Sequence, residues 1–271
     1  MPELPEVETT MRALAARLRG RQIAALDQRR PDLRFPLPER LAERLIGRRL
    51  LAFGRRAKYI LGHLDDQQTL VLHLGMSGRL LFDGAPAGRH EHLTFHFDDA
   101  SCLRFVDPRR FGMLDLAPTA ALQAHPRLAG LGLEPLAPGF DGPALAGALA
   151  GRQTALKLAL MDQRVVVGVG NIYACEALFR ARLSPRRIAG HLRPREAARL
   201  AEAVRTVLIE AIEAGGSSLR DYVQTDGQLG FFQERFAVYG LSGQPCRVCG
   251  GPIRPIVQAN RTTFHCPRCQ R

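Results

Sequence analysis

The chain has 271 residues, of which 46% are hydrophobic and 24% charged, a composition typical of a folded globular protein. Its 38 basic and 26 acidic residues give a formal net charge of +12 at pH 7. Most of the excess lies in residues 151–271, which carry 18 basic and 9 acidic groups. No amphipathic lysine-rich stretch is visible, so this basic half favours nucleic acid over a membrane surface as the partner.

Lysine is rare in this chain, because only two of the 38 basic residues, Lys58 and Lys157, are lysines. Coding bias towards arginine would explain the net charge alone. It does not explain why a compact primary ammonium is kept at two places, and arginine cannot replace that group in geometry or in proton exchange. Both lysines are therefore candidate site residues.

The first 20 residues contain three glutamates, three arginines and no long apolar run. We therefore expect neither a signal peptide nor a spanning helix, and we expect the protein in the cytoplasm. Six cysteines in that compartment favour a metal site or buried thiols over disulfides.

The N-terminal segment is predicted to be a helix from its first few residues. Pro5 suits the first turn, Glu6 and Glu8 complement the helix dipole, and Gly20 stops the helix. One face at helical spacing is apolar and consists of Val7, Met11, Leu14 and Leu18.

Short apolar runs separated by turn signals predict strands at residues 50–53, 59–64, 69–74, 93–97, 102–106 and 112–116. They indicate a β-sandwich that carries one helix at its start. Residues 117–143 are rich in proline and glycine and are predicted to connect two domains. Helical periodicity then predicts helices at 171–183 and 196–214, so the fold class is α+β.

The last four cysteines form two pairs with metal-ligand spacing. Cys246 and Cys249 are separated by two residues, as are Cys266 and Cys269, with sixteen residues between the pairs. This pattern predicts one tetrahedral zinc ion held by a β-hairpin zinc finger. Four thiolates fill the coordination shell, so the zinc is structural and His265 is not needed as a ligand.

Six sequence blocks distributed along the whole chain point to one family. They are MPELPEVET at residues 1–9, RRAKY at 55–59, HLGMSG at 73–78, DPRRFG at 107–112, VGVGNIY at 167–173 and QANR at 258–261. In this order, together with the terminal finger, they resemble formamidopyrimidine-DNA glycosylases. The resemblance implies an N-terminal catalytic β-sandwich (1–132), a helical helix–two-turns–helix domain (133–236) and a four-Cys zinc finger (237–271).

The resemblance also implies the reaction. Once Met1 is removed, Pro2 is a secondary amine that attacks the sugar C1′, expels an oxidised purine and forms a Schiff base. Glu3 is the implied general acid/base. Loss of both phosphates by β,δ-elimination then nicks the strand. The implied substrates are formamidopyrimidines and 8-oxoguanine in damaged double-stranded DNA, acted on by a monomer.

Further residues match the family's DNA contacts. Lys58, His73, Asn171 and Arg261 correspond to phosphate contacts, and Lys58 is also placed in the catalytic set. Asn171 lies where a glycine-containing turn runs into a helix start, which suits an anion. Met76 fills the space left by the lesion, Phe111 wedges beside the orphan base, and Arg109 hydrogen-bonds that base and favours cytosine.

Lesion contacts are implied at Glu6, Lys157, Ser217, Arg220 and Tyr222. Two alternatives stay open. An endonuclease VIII-like enzyme has the same fold and chemistry but prefers oxidised pyrimidines. A non-catalytic zinc-ribbon DNA-binding protein would account for the charge and the finger, but it would leave the arrangement at Pro2 and Glu3 without a use.

Overall fold

The computed structural model describes residues 2–84, 88–218 and 222–271, and these form two compact units. The first unit comprises Met1–Ala129 and Ala214–Phe231, and the second comprises Gly130–Glu213 and Phe232–Arg271. The division of the chain at residues 132 and 236 stays a prediction. In the described ranges, no helix has both the length and the apolar character that membrane crossing requires.

The first unit begins with helix α1 (Leu4–Leu18), as the sequence predicts. Val7, Leu14 and Leu18 are buried on its apolar face. The helix ends ahead of Gly20, whose φ of 82° lies in the left-handed region that favours glycine.

Among the described residues of the first unit, eight strands and one short α-helix follow. They are β1 (Ile23–Gln28), α2 (Leu41–Leu45), β2 (Leu50–Arg56), β3 (Tyr59–Leu64), β4 (Gln68–His73), β5 (Arg79–Phe82), β6 (Glu91–Phe97), β7 (Cys102–Val106) and β8 (Met113–Pro118). They build two antiparallel four-stranded sheets, with strand orders β1-β6-β7-β5 and β2-β3-β4-β8.

One apolar core joins the two sheets and α1, which confirms the predicted sandwich with its N-terminal helix. Ile23, Phe95 and Phe105 project from one sheet, and Ile60 and Leu72 from the other. Each such side chain contributes about 1.5–3 kcal/mol of burial free energy, so the sandwich is held mainly by its own hydrophobic core.

The second unit is helical: α3 (Gly142–Leu149), α4 (Leu156–Met161), α5 (Asn171–Arg180) and α6 (Pro194–Glu213). Helix α6 packs against both α3 and α5. The helix predicted for residues 171–183 ends at Arg180. Arg182 has a left-handed φ of 53°, and the Leu183 N–H donates to the Leu178 carbonyl at 3.0 Å, which closes the helix end.

The second unit ends in the predicted β-hairpin, formed by β9 (Arg254–Gln258) and β10 (Arg261–His265). Ala259 and Asn260 connect the strands with φ values of 46° and 59°. Two consecutive left-handed residues are typical of a tight two-residue hairpin turn. Arg261 is the first residue after this turn.

Candidate active site and DNA-contact residues

The start of α1 carries two of the three residues predicted to do chemistry, Pro2 and Glu3. Pro2 and Glu3 are both buried immediately before the helix, and Glu3 is its N-cap. Glu3 and Glu6 form a capping box, in which the Glu3 N–H donates to Oε2 of Glu6 at 2.7 Å. The nucleophile predicted at Pro2 is therefore attached to a fixed backbone and not to a fraying terminus.

Glu6 also binds the segment that the sequence assigns to the lesion. Its Oε1 accepts the Ser217 N–H at 2.8 Å, and its carbonyl accepts the Tyr222 hydroxyl at 3.4 Å. Burial, followed by the nearby Glu6 carboxylate, raises the pKa of Tyr222, so the phenol stays a hydrogen-bond donor. Arg220, the remaining residue predicted in this segment, lies outside the described residues.

A carboxylate–guanidinium pair connects α1 to the turn that carries Lys58. Glu8 Oε2 accepts Nε of Arg55 at 2.7 Å, and Nη1 of the same arginine donates to the Ala57 carbonyl at 2.8 Å. Lys58 is buried directly after Ala57, whose φ is 54°. The sequence motif indicates Lys58 but not the pairing of Glu8 with Arg55, because that contact across 47 residues depends on the tertiary fold.

His73 at the end of β4 is held as a neutral imidazole with a defined tautomer. Its Nδ1 accepts the Gly75 N–H at 2.9 Å, so the ring proton resides on Nε2. Burial, followed by the positive charges of Lys58 and Arg34, lowers the pKa of His73 to about 4. At neutral pH this side chain is an uncharged Nε2–H donor.

The three residues predicted to enter the duplex line one open cleft of about 630 Å³. Met76 and Phe111 are 36% and 40% exposed, and the Arg109 guanidinium lies 4.7 Å from the Phe111 ring centroid. The sequence did not predict the other cleft residues near them, which include Asp32, Leu33, Arg34 and Arg110.

In the second unit Asn171 is the first residue of α5 and links two elements. Its Oδ1 accepts Nζ of Lys157 at 2.5 Å, and its Nδ2 donates to the Thr262 carbonyl at 2.9 Å. Lys157 is fully buried. Its ammonium therefore orients the Asn171 amide, in a place where solvent does not reach it.

The arginines at the end of α5 and in the loop after it do not all face solvent. Arg180 makes two 2.7 Å hydrogen bonds to Glu210, and Arg187 makes bonds of 2.8 and 2.6 Å to Glu196. The first bidentate pair holds α6 to the end of α5, and the second holds α6 to the loop that precedes it. Exposed cations in this part of the second unit are Arg182 and Arg186, and Arg261 is exposed on the hairpin.

The four finger cysteines fit a zinc ion. Their sulfur atoms all lie within 4.8 Å of one another, with 3.9 Å between Cys246 and Cys269 and 3.5 Å between Cys249 and Cys266. A tetrahedral ion with Zn–S bonds of about 2.3 Å separates its sulfurs by about 3.8 Å. His265 Nδ1 lies 3.0 Å from the Arg254 carbonyl and is not part of the cluster. One structural zinc is held by these thiolates.

A buried carboxylate outside the sequence motifs supports the base of the finger. Glu176 on α5 accepts the backbone N–H groups of Ala237, Val238 and Tyr239 at 2.8–3.0 Å. Burial raises the pKa of Glu176, although the three N–H donors oppose that shift. A glutamate between Cys175 and Ala177, in a stretch of α5 that is otherwise apolar from Ala174 to Phe179, was the available signal.

Three family models match consecutive parts of the chain. Residues 1–114 match the formamidopyrimidine-DNA glycosylase N-terminal domain, and residues 131–223 match the H2TH domain of the same glycosylases. Residues 243–271 match a zinc finger found in FPG and IleRS. Together they define a DNA glycosylase of base-excision repair.

Relatives and solved structures agree over the full length. The formamidopyrimidine-DNA glycosylase of Cereibacter sphaeroides is 54% identical, with 100% of both chains covered. The crystal structure of the MutM (FPG) protein from Thermus thermophilus is 44% identical with a TM-score of 0.89, covering 99% of this chain and 98% of that one. The chain belongs to the formamidopyrimidine-DNA glycosylase family.

A third similar structure contains DNA. It is a complex between the Lactococcus lactis Fpg and DNA with an abasic site, 33% identical with a TM-score of 0.91 and 99% coverage of both chains. Another Lactococcus lactis structure, with the same identity, the same TM-score and 100% coverage of both chains, contains N7-benzyl-Fapy-dG DNA.

Proposed function

We propose that this glycosylase removes formamidopyrimidines and 8-oxoguanine through a Schiff base at Pro2 and then nicks the strand by β,δ-elimination. The observation that carries the proposal is the joint burial of Pro2 and Glu3 at a capped helix start. The Lactococcus lactis relatives bound to Fapy and abasic DNA support the substrate class. Removal of Met1 is required, because a retained methionine would make the Pro2 nitrogen an amide.

The steps follow from the chemistry of a secondary amine. The Pro2 nitrogen forms a bond to C1′ as the C1′–base bond breaks, and opening of the sugar ring gives an iminium. Glu3 donates the proton that the ring oxygen needs and accepts protons in later steps. The iminium acidifies the C2′–H bond, and loss of that proton expels the 3′ phosphate. Loss of a second proton, from C4′ of the resulting conjugated iminium, expels the 5′ phosphate. The positive end of the α1 dipole disfavours a protonated Pro2, which keeps the nucleophile neutral.

Phosphate contacts are proposed for four residues. In the first unit Lys58 contributes a buried ammonium, and His73 contributes a neutral Nε2–H. In the second unit the Asn171 amide and the exposed Arg261 guanidinium serve the same purpose. The hydrogen bond from Lys157 to Asn171 supports a role for Lys157 in orienting that contact.

Opening the duplex is assigned to the cleft that contains Met76, Arg109 and Phe111. Everting a base costs a few kcal/mol, which inserted apolar side chains offset by filling the gap. The exposure of Met76 and Phe111 supports this assignment. Glu6, Ser217, Tyr222 and Arg220 are proposed to hold the everted base, and the Glu6–Ser217 hydrogen bond supports a direct connection between that segment and the catalytic helix.

The setting of the reaction is part of the proposal. We infer a monomer that acts in the cytoplasm, where the bacterial chromosome lies, with the chain divided functionally at residues 132 and 236. The separate matches to residues 1–114, 131–223 and 243–271 support that division.

Borohydride trapping tests the chemistry. A duplex with one 8-oxoguanine is incubated with protein whose intact mass shows that Met1 is absent. We expect a covalent adduct on the strand with the lesion, mapped by mass spectrometry to Pro2. If correctly processed protein binds the duplex but never gives an adduct, the chain is a DNA-binding protein without this chemistry. A matched panel of oxidised-pyrimidine duplexes tests the endonuclease VIII-like alternative, which requires faster excision from the pyrimidine lesions.

A further inference from the structure

Two turns of the first unit carry the three residues assigned to duplex opening. The Met76 turn comprises residues 74–78, after β4, and the Arg109 turn comprises residues 107–112, before β8. They lie more than 25 residues apart in sequence, yet both line the same cleft. Correct insertion of Met76 and Arg109 into the duplex requires a fixed distance between them, yet both side chains are exposed at the tips of their turns.

A single serine hydroxyl bridges the two turns. Ser77, the neighbour of Met76, donates its hydroxyl proton to Oδ1 of Asp107 at 2.6 Å. Its oxygen accepts the backbone N–H of Arg109 at 3.2 Å. The residue next to Met76 is thus hydrogen-bonded to the main chain of Arg109 itself.

Asp107, which accepts the Ser77 hydroxyl proton, is buried and also binds the Arg109 turn. It is 0% exposed, and its Oδ2 accepts the Gly112 N–H at 2.7 Å while its Oδ1 lies 3.3 Å from the Arg109 nitrogen. Its own carbonyl lies 2.8 Å from Nε2 of His92. Both ends of the Arg109 turn are therefore bound to one buried carboxylate, which suits a rigid element.

Close backbone packing adds a second constraint on the spacing. A Cβ atom at Gly75 would overlap the Phe111 carbonyl group and would lie 2.5 Å from the Gly112 nitrogen. The φ of Gly75 is 64°, a left-handed value that side chains rarely adopt. The Met76 turn therefore rests directly on the backbone of Phe111.

We propose that Ser77 and Asp107 are positioning residues that set the distance between Met76 and Arg109, and that they thereby set discrimination of the base opposite the lesion. This inference rests on the proposed roles of Met76 and Arg109. Loss of the bridge leaves each turn intact but lets Arg109 shift relative to the inserted Met76. The hydrogen bonds from Arg109 to the orphan base depend on that geometry, whereas bond formation at Pro2 does not involve these turns.

The test compares Ser77→Ala with the matched control Ser101→Ala. Ser101 donates its hydroxyl to Asp99 at the same 2.6 Å distance, in a turn outside the cleft. For each protein kcat/KM is measured on 8-oxoguanine opposite cytosine and opposite adenine. We expect Ser77→Ala to lower the cytosine-over-adenine ratio about fivefold, the factor that corresponds to roughly one hydrogen bond, and Ser101→Ala to leave the ratio unchanged.

The ratio separates positioning from simple loss of folded protein, which would lower both rates equally. Asp107→Asn is the second variant, because its amide places a donor against the Gly112 N–H or the Arg109 N–H. We expect a larger fall in the ratio than for Ser77→Ala, with the melting temperature showing that the protein is folded at the assay temperature.

Arg109→Ala tests the role of Arg109 itself, separately from the positioning role of Ser77 and Asp107. If it abolishes discrimination while Ser77→Ala and Asp107→Asn do not change the ratio, the positioning proposal is wrong and the role of Arg109 stands. If Arg109→Ala also leaves the ratio unchanged, the proposed role of Arg109 is wrong, and the role of Ser77 and Asp107 is wrong with it.

Discussion

The sandwich and the finger are stabilised in different ways. In the sandwich, two sheets and α1 share one hydrophobic core with more than twenty buried apolar side chains. The finger segment contributes few buried apolar side chains, among them Val238 and Ile253, and its four thiolates lie within 4.8 Å of one another. The first region folds around its core, and the second needs an ion to hold its loops together.

This difference assigns separate tasks to the two regions. The proposed nucleophile and its proton donor lie in the region that is stable without metal. The finger contains no acidic residue and presents cations such as Arg261. The chemistry of the sandwich and the contribution of the finger to DNA binding should therefore be separable by experiment. The first three predictions below test that separation, and the fourth tests a phosphate contact proposed within the sandwich, in order of decreasing effect.

Pro2→Gly should produce the largest difference between the loss of strand cleavage and the loss of DNA binding. Glycine keeps an N-terminal amine but changes its basicity and its constraint before α1. We expect strand cleavage to slow by about 10³-fold or more, as when a nucleophile is lost, with lesion binding within a few-fold of the parent. Single-turnover cleavage and gel-shift titration measure the two quantities. Unchanged cleavage would remove Pro2 from its role.

Removal of zinc should give the converse result. Chelation leaves four thiols without a partner ion, so we expect DNA affinity to fall by more than about tenfold while the sandwich stays folded. Gel shift measures the affinity, and the β-sheet circular dichroism of the full chain measures the sandwich. Cys249→Ser provides the same loss without a chelator. A metal-free protein that binds DNA normally would contradict the separation.

Arg261→Ala should weaken binding and change its salt dependence. One guanidinium fewer at a phosphate means one fewer released counterion, so the slope of log K against log salt should fall by about one. Arg44→Ala, which removes an exposed arginine of α2, is the control and should leave the slope unchanged. Equal slopes for parent and Arg261→Ala would rule out the proposed phosphate contact.

His73→Ala should weaken DNA binding slightly without altering the salt slope, because a neutral donor releases no counterion.

The protonation of His73 can be tested separately. With a folded pKa of about 4, below the ordinary value of 6.5, the ring stays uncharged above about pH 5. The folded state then disfavours protonation, so this group lowers stability as pH falls from 6.5 towards 4. An NMR titration of the imidazole checks the value, and a midpoint near 6.5 would contradict it.

Much of the fold is predictable from the sequence in segments where a single hydrophobic or cysteine pattern dominates. The predicted strands at 59–64 and 102–106 coincide with β3 and β7, and the hairpin lies between the two cysteine pairs as expected. Strand β1 was missed because a bulge between Ile23 and Ala25 breaks its alternation. Strand β5 was missed because four residues are too short to show a period.

The site residues show the same contrast between what a local sequence pattern predicts and what only the fold brings together. The finger cysteines are regularly spaced, so a metal site is predictable from their spacing alone, whereas Pro2 and Glu3 become candidate catalytic residues only through the family resemblance. The contacts that hold such residues in place are not visible in the sequence, because Glu8 with Arg55 and Ser77 with Asp107 meet only through the fold. Each of these four has an ordinary surface-type side chain, and nothing local distinguishes it from a solvated one.

The buried Glu176 has one more consequence, for how the apo-protein relaxes. Its carboxylate accepts hydrogen bonds from three successive backbone N–H groups at the base of the finger, and none of these hydrogen bonds involves a cysteine ligand. When zinc leaves, the loops around the ion lose the metal–thiolate bonds, while residues 237–239 stay hydrogen-bonded to Glu176 on α5. Hydrogen exchange should then show a sharp boundary, slow at these three amides and fast beyond Cys246. Reloading zinc would begin from a tethered segment, which shortens the search for the closed form.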